Sequence, residues 1–368
     1  MLYVKPNYYN TFKCIADKCE ATCCQGWQIV VDEASLERYK KVEGPYGDIL
    51  RERIQWKEGV FCQDASKRCA FLKEDNFCDM YEHLGEESLC LTCTNYPRHI
   101  EEFENIREIT LSISCPEVAR IILSQQEPVS FYEEEGEEGE EEMEEFDPFF
   151  FSYLEDARKI LLRILQDRNL PLSIRVALVL HMAEEMQEMI DADELFDLVD
   201  VFDKYEDPVY LAEAKRGIEK ELQCFYESPT ELFSYKKAMF GRLYELEHLS
   251  EEWPDYIEEC FQLLYTEGAN AYQTKGRAFV DSEVQIEIIL EQLLVYFVFT
   301  YFCGAVYDGN VIGKIRLSVD SVTILFELFM SKWLQKKGDL TEEDMQRIVY
   351  RYSRELEHSD LNLETMEN

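Results

Sequence analysis

The spacing of apolar residues divides this chain into an irregular first third and a helical remainder. In the second part, Leu154, Ala157, Leu161, Ile164 and Leu165 recur at helical intervals and mark one amphipathic face. Val176, Leu180, Ala183, Met186 and Ile190 mark another. After Gly338, Thr341 and Asp344 have capping-box spacing, with Asp in place of the usual Glu or Gln, and predict a last helix to about Glu357. The strongest apolar run, Leu293 to Val306, follows Glu287 and Glu291. It is shorter than the ~20 residues a bilayer span requires, so it reads as a buried core helix, and no membrane span is expected.

In the first part, residues 27–31 (WQIVV) and 106–113 (IREITLSI) have strand character, the latter placing Ile109, Leu111 and Ile113 on one face. Ser114, Pro116 and Glu117 then open a helix through Leu123, with proline at a tolerated first-turn position. Cys115 falls at the strand-to-helix junction, where free amides and the helix dipole favour a thiolate. There is no β-α-β spacing and no internal repeat. The expected fold is mainly α: an irregular cysteine-rich, metal-binding domain with minor β over residues 1–128, then an all-α domain over 148–368. Between them, residues 132–147 hold ten glutamates, one aspartate and no positive charge. Such a run repels itself and buries no apolar surface, so residues 129–147 read as an acidic linker.

Composition narrows the partners. The chain has 368 residues, 46% of them apolar, which is enough for two cores. A formal charge of −39 excludes a nucleic-acid partner, which requires a basic face, and disfavours an anionic membrane surface. Acidity suits a lysine-bearing protein partner by long-range attraction, although it serves solubility first.

The chemistry lies in the cysteines. Of 13, nine follow one grammar near the amino end: Cys14, Cys19, Cys23 and Cys24, then Cys69, Cys78, Cys90, Cys93 and Cys115. Cys62 lies among them, and Cys224, Cys260 and Cys303 are scattered singly. The opening MLYVKPNYYNTFKC has no basic and apolar export signal, so a cytoplasmic location is expected. In that reducing pool, clustered cysteines point to metal rather than disulfides. Thiolate-rich sites select zinc or iron–sulfur clusters. Only Cys90 and Cys93 have a clean zinc-hairpin spacing, whereas ligands from five segments, with Cys115 followed by Pro116, suit an irregular cluster pocket. A C-x3-C-x2-C radical motif fails at its third position, which is Gly26. No G-x-G-x-x-G, P-loop or H-E-x-x-H is present, and the five histidines are dispersed. No motif singles out a catalytic side chain.

The segments CEATCCQGWQI (19–29), CAFLKEDNFCDMYEHLGEESLC (69–90), LTCTNYPR (91–98) and LSISCPEVARIIL (111–123) closely resemble the flagellin lysine-N-methylase family. That family is related to a broader group of zinc- or iron-chelating cysteine domains. The resemblance is dense over residues 10–125 and diffuse beyond, where ILEQLLVYFVFTYF (289–302) looks similar. It implies methyl transfer from S-adenosylmethionine to lysine ε-amines of flagellin, with a [4Fe–4S] cluster held by the cysteine motif and zinc as the alternative metal. The nine cysteines named above occupy the motif positions. One cluster needs only four thiolates, so the nine are not all ligands of one cluster. Two rival readings stay open: a non-catalytic zinc-stapled adaptor for a protein partner, and an iron–sulfur redox protein.

Overall fold

A computed structural model describes residues 1–136, 146–283 and 285–368. The amino-terminal part contains β1 (Leu2–Pro6), α1 (Glu33–Lys40), α2 (Pro45–Arg53), β2 (Ile54–Gln55), β3 (Val60–Phe61), α3 (Asp79–Leu84), α4 (Leu91–Asn95), β4 (Arg98–Phe103), β5 (Ile106–Leu111), α5 (Pro116–Leu123) and β6 (Phe131–Glu135). Helices then follow one another: α6 (Pro148–Leu165), α7 (Leu172–Asp191), α8 (Leu198–Glu206), α9 (Pro208–Glu227), α10 (Pro229–Gly241), α11 (Trp253–Tyr265), α12 (Ala269–Ser282), α13 (Ile286–Tyr301), α14 (Val311–Gln335), α15 (Glu342–Glu357) and α16 (Asp360–Glu367). The protein is mainly α, with a small β component confined to the amino-terminal part.

Four strands form one sheet in the order β4-β5-β1-β6. β4 and β5 run antiparallel, β1 lies parallel to β5 with Leu2 opposite Ile106, and β6 closes the other side antiparallel, Val4 facing Glu133. The strand expected at 106–113 is β5, and Ile109, Leu111 and Ile113 are buried as its alternation predicts. Residues 27–31 form no strand. Val30 makes an isolated bridge to Val60, flanked by backbone hydrogen bonds from Val31 to Gly59 and from Phe61 to Ile29, because β3 is only two residues long and offers too short an edge for a ladder. Within the expected linker, Phe131–Glu135 form β6, since the free edge of β1 supplies backbone partners and Lys5 pairs with Glu134 at 2.5 Å. The rest of the glutamate run, residues 137–145, lies outside the described residues. Asp147 then caps α6, accepting from the amides of Phe149 and Phe150 at 2.9 and 3.0 Å.

Two apolar cores result. The main one joins the sheet and α5 to the helices: Phe103 lies 4.6 Å from Phe151 of α6, and Phe131 stacks at 4.0 Å on Phe299 of α13. The smaller is built from residues 29–90, among them Ile29, Tyr39, Leu50, Phe61, Phe71 and Met80. The segment Ile286–Val306 is long and apolar enough to cross a membrane, yet 89% of it is buried within the protein, as the core-helix reading expects. Glu291, taken on sequence as a polar flank of that run, is fully buried on α13 and receives Arg168 at 2.8 Å and Arg175 at 2.5 Å.

The capping box at the start of α15 is reciprocal. Asp344 N–H donates to Thr341 Oγ1 (3.2 Å), and Thr341 N–H donates to the Asp344 carboxylate (3.0 Å). Because α15 carries contacts to the cysteine region, its end matters. Thr341→Ala is expected to cost about 1 kcal/mol, read as a lowered urea midpoint at unchanged slope. An unchanged midpoint would show that the Lys336–Asp344 pair alone secures the helix start.

Candidate metal centre and ligand cleft

All 13 cysteines are free thiols. The fold sorts the nine motif cysteines into two groups, and it does so at Cys23–Cys24. Cys23 faces Cys14 and Cys115, while Cys115 also faces Cys19 and Cys14, so Cys14, Cys19, Cys23 and Cys115 share one neighbourhood. Cys24, whose thiol touches that of Cys23, also neighbours Cys69, Cys78 and Cys93, and Cys90 completes that set beside Cys69 and Cys93, so the two groups meet at the Cys23–Cys24 contact. The same division appears in packing. Cys115 belongs to the main core, whereas Cys24, Cys69, Cys78, Cys90 and Cys93 all line the smaller one. Cys62 belongs to neither group; its thiol points at the Glu52 carbonyl, 3.7 Å away. Cys224 is exposed, and Cys260 and Cys303 are buried among the helices.

Local structure explains how the thiols are held. Cys115 is the N-cap residue of α5, as its strand-to-helix position predicts, and the amides of Val118 and Glu117 point at its sulfur. Burial nevertheless dominates and pushes the thiol up to about 11. Cys69 is likewise pushed up by burial, to about 12. Cys23 donates to Cys24, and that hydrogen bond brings Cys24 down to about 7; Cys93 lowers Cys90 in the same way. Burial favours the neutral thiol at Cys23, Cys69, Cys78, Cys93 and Cys115 unless a cation takes the charge.

The four-thiol group lies where the helices meet the amino-terminal part. Arg354 of α15 donates to the carbonyls of Ala21 (2.7 Å) and Ser114 (3.0 Å), and Arg347 and Tyr350 hold Glu20. Tyr96 lies against Cys115 and Cys23 and packs on Trp27 at 6.0 Å. One turn beyond Arg354, Glu357 accepts from Tyr296 (2.6 Å) and Tyr301 (2.9 Å), and burial raises its carboxyl above the usual range. Tyr296 in turn receives the amide of Ile113 at 3.4 Å, two residues before Cys115.

Among the described residues, the trio whose ligand atoms all lie within 4.8 Å is Asp79, Glu82 and His83. It is already charge-paired, Asp79 with Arg53 and Glu82 with Lys73. No three cysteine sulfurs reach that mutual spacing, whereas a zinc tetrahedron with ~2.3 Å Zn–S bonds brings its sulfurs to roughly 3.8 Å.

A second feature was not legible in the motifs. A cleft of about 750 Å³ opens between α7, α9, α10, α12, α13 and α14. Val176, Leu180, Phe225 and Leu290 contribute to its apolar wall, and Lys236 and Tyr272 stand at a polar end. Behind them Glu327, fully buried on α14, accepts from Tyr265 and Tyr272, each at 2.7 Å, with Lys236 Nζ at 3.9 Å. Burial pushes the Glu327 carboxyl up and the Lys236 amine down. The one sequence signal for this network is a lone acid inside the apolar stretch TILFELFM. Leu290 and Leu294 line the cleft, whereas Tyr296 and Tyr301 further along α13 face Glu357. Leu294 and Tyr296 are separated by only about 3 Å of rise but by roughly 200° of rotation, so the two features lie on opposite sides of that helix.

A helical protein with a ligand-sized cleft, clamped to a thiol-rich module, is the class that fold and site define. The family profile described as the FliB lysine N-methylase C-terminal domain matches residues 158–368, more than half of the chain, and the chain belongs to that family. It is 27% identical over 140 residues to the flagellar biosynthetic protein FliU of Salmonella muenchen, covering 36% of this chain and 82% of that protein. It is also 27% identical over 139 residues to the lysine-N-methylases of Salmonella typhimurium and Salmonella choleraesuis. Those alignments cover 35% of this chain and 34% of each relative, so the chain spans about a third of the length of the lysine-N-methylases it matches. No solved structure matches it.

Proposed function

We propose that the protein is a cytoplasmic, S-adenosylmethionine-dependent protein-lysine N-methyltransferase acting on flagellin, supported by a [4Fe–4S] cluster. The observation that carries this reading is the family match over residues 158–368, which contains the whole cleft. A cleft of this size and mostly apolar lining suits a nucleoside-bearing methyl donor. Cys14, Cys19, Cys23 and Cys115 supply the four thiolates one cluster requires, and the wide spacing of their sulfurs favours a cluster over a single zinc. When bound, the cluster ties the Cys14–Cys23 segment to the start of α5, beside the α15 contacts.

The transfer itself is polar. The neutral lysine nitrogen forms a bond to the sulfonium methyl carbon, the carbon–sulfur bond breaks with its electron pair going to sulfur, and the resulting ammonium loses a proton. The amine is already the nucleophile, so no radical is required. With the cleft and the Glu357 side on opposite faces of α13, the donor and the cluster occupy separate places.

Anaerobically purified protein with S-adenosylmethionine is expected to add single-methyl mass steps to flagellin lysines. Gly276 lines the cleft on α12, and a side chain there meets only Met330 Sδ, at 3.9 Å. A Cβ at this position is in ordinary contact only, so Gly276→Leu is expected to project into the cleft and to weaken S-adenosylmethionine binding at least tenfold with helicity unchanged. Wild-type affinity in that variant would remove the donor from the cleft. If wild-type holoprotein neither binds S-adenosylmethionine nor methylates any lysine of flagellin or of a host lysate, the enzyme reading fails.

A further inference from the structure

The cleft ends on a cation with no hydrogen-bond acceptor of its own, and we infer that Lys236 is a carboxylate seat. Its Nζ holds the acid group of a ligand whose apolar body lies along the wall of Val176, Leu180, Phe225 and Leu290. In S-adenosylmethionine that acid is the methionyl carboxylate. The inference therefore rests on the reading of the cleft as the methyl-donor site, and it fixes which end of the donor lies where. Local structure places the amine. Leu232, Tyr235 and Lys236 recur on α10 at the spacing that shares one face, and that face lines the cleft, whereas Lys237 is exposed.

Both acids whose charge reaches Lys236, Glu327 and Asp320, are already engaged. One Glu327 oxygen accepts from Tyr272 and the other from Tyr265, each at 2.7 Å, and Lys236 Nζ stays 3.9 Å away, beyond hydrogen-bond reach. Asp320 is held by Arg242 at 2.6 Å. The Phe326 ring lies 5.3 Å from Nζ and offers only a π face. Among the described residues Nζ makes no hydrogen bond, although the side chain is only 18% exposed. A buried ammonium has three donors to satisfy, and leaving them idle costs free energy, which shows as the downward push of burial on this amine. A carboxylate entering the cleft removes both penalties: its oxygens accept the idle donors, and its charge favours the ammonium. A second cation is disfavoured at the same place. The amine to be methylated therefore belongs at the far end, where Asp281 stands roughly 13 Å along α12 from Tyr272.

Calorimetric binding to wild type, Lys236→Met and Lys236→Arg decides it. The probes are S-adenosylmethionine and its decarboxylated analogue, which keeps the sulfonium and the amine but lacks the acid. Wild type is expected to bind S-adenosylmethionine at least about tenfold more tightly than the analogue, the scale of one charge-assisted hydrogen bond. Lys236→Met should weaken S-adenosylmethionine to the level of the analogue and leave the analogue nearly unchanged. Lys236→Arg keeps the charge and should retain the preference. Equal affinity for the two ligands in wild type would overturn the inference. So would an equal loss of both in Lys236→Met, because that is what a purely structural partner of Glu327 produces. If Lys236→Met loses helical signal in circular dichroism, the wild-type preference and its retention in Lys236→Arg decide. If wild type binds neither nucleoside, the donor reading falls by itself, and decanoate against decanol then tests the seat. A comparable preference for decanoate that Lys236→Met abolishes upholds the seat, with an aliphatic acid as its occupant, and no preference overturns it.

Discussion

Glu108→Ala is expected to lower stability by about 3–5 kcal/mol, the largest single effect outside the cysteines. Glu108 stands in the middle of β5, and only 2% of it is exposed. Its carboxylate is forked by both terminal nitrogens of Arg158 on α6, which is 6% exposed and lies over the Phe299 ring at 4.5 Å. Arg158 has one further acceptor, the Phe299 carbonyl at 3.1 Å. Truncating the acid therefore leaves a guanidinium desolvated, with a single neutral partner, at the junction of sheet and helices. Spread over a chain of this length, such a loss corresponds to a melting-point drop of roughly 4–6 °C. Replacing both partners with apolar residues, as in Glu108→Leu with Arg158→Met, should restore most of it, because the penalty comes from the orphaned charge. A single-variant loss below about 1 kcal/mol would mean that water reaches Arg158 and that the pair is not a dry junction.

That junction also shows what the sequence could not disclose. Periodicity located the helices well: the face from Leu154 to Leu165 lies in α6, and the Thr341 and Asp344 pair caps α15 as its spacing says. Local rules suffice there, because helix and cap are decided within a few residues. Glu108 and Glu291 are both buried against arginines 50 and more residues away, pairings that local spacing does not reveal. The strand expected at 27–31 failed for a related reason. Apolar content marks burial, but the two-residue edge of β3 allows only a single bridge, and Ile29 and Val31 pack into the smaller core as irregular chain. In the reverse direction, Glu133, Glu134 and Glu135 have poor strand character, yet β1 recruits them through backbone pairing.

The cysteines were legible as a set but not as a partition. Spacing along the chain gave nine candidates, and nothing in the spacing separates Cys14, Cys19, Cys23 and Cys115 from the other five. The cleft left almost no trace, since its walls come from six helices, each of which buries an ordinary apolar face.

Between pH 7 and 9 the methylation rate at saturating S-adenosylmethionine and subsaturating flagellin is expected to rise about tenfold per pH unit. Only a neutral lysine amine attacks the sulfonium methyl, and with an ordinary pKa near 10.4 about one amine in 2,500 is neutral at pH 7. The sign follows from the group: raising pH removes the proton, the reactive fraction grows, and the rate grows with it until the amine's own pKa is passed. The acidic surface of a protein with a formal charge of −39 acts in the opposite sense, because it stabilises the ammonium and holds the amine's pKa up while the lysine waits outside. Desolvation in an apolar cleft then pulls the pKa down, as it does for Lys236 at the cleft's polar end. At subsaturating flagellin the profile reports the free lysine; repeated at saturating flagellin it reports the bound one, where a break near pH 8 means that the cleft lowers the amine's pKa by about two units and a rise that continues past pH 9 means that it does not. Raising the salt concentration should steepen nothing but weaken flagellin capture, since screening acts on the long-range attraction and not on the buried amine. A rate that stays flat from pH 7 to 9 under these conditions would rule out attack by a free-equilibrating neutral amine as the slow step, and with it the polar transfer derived above.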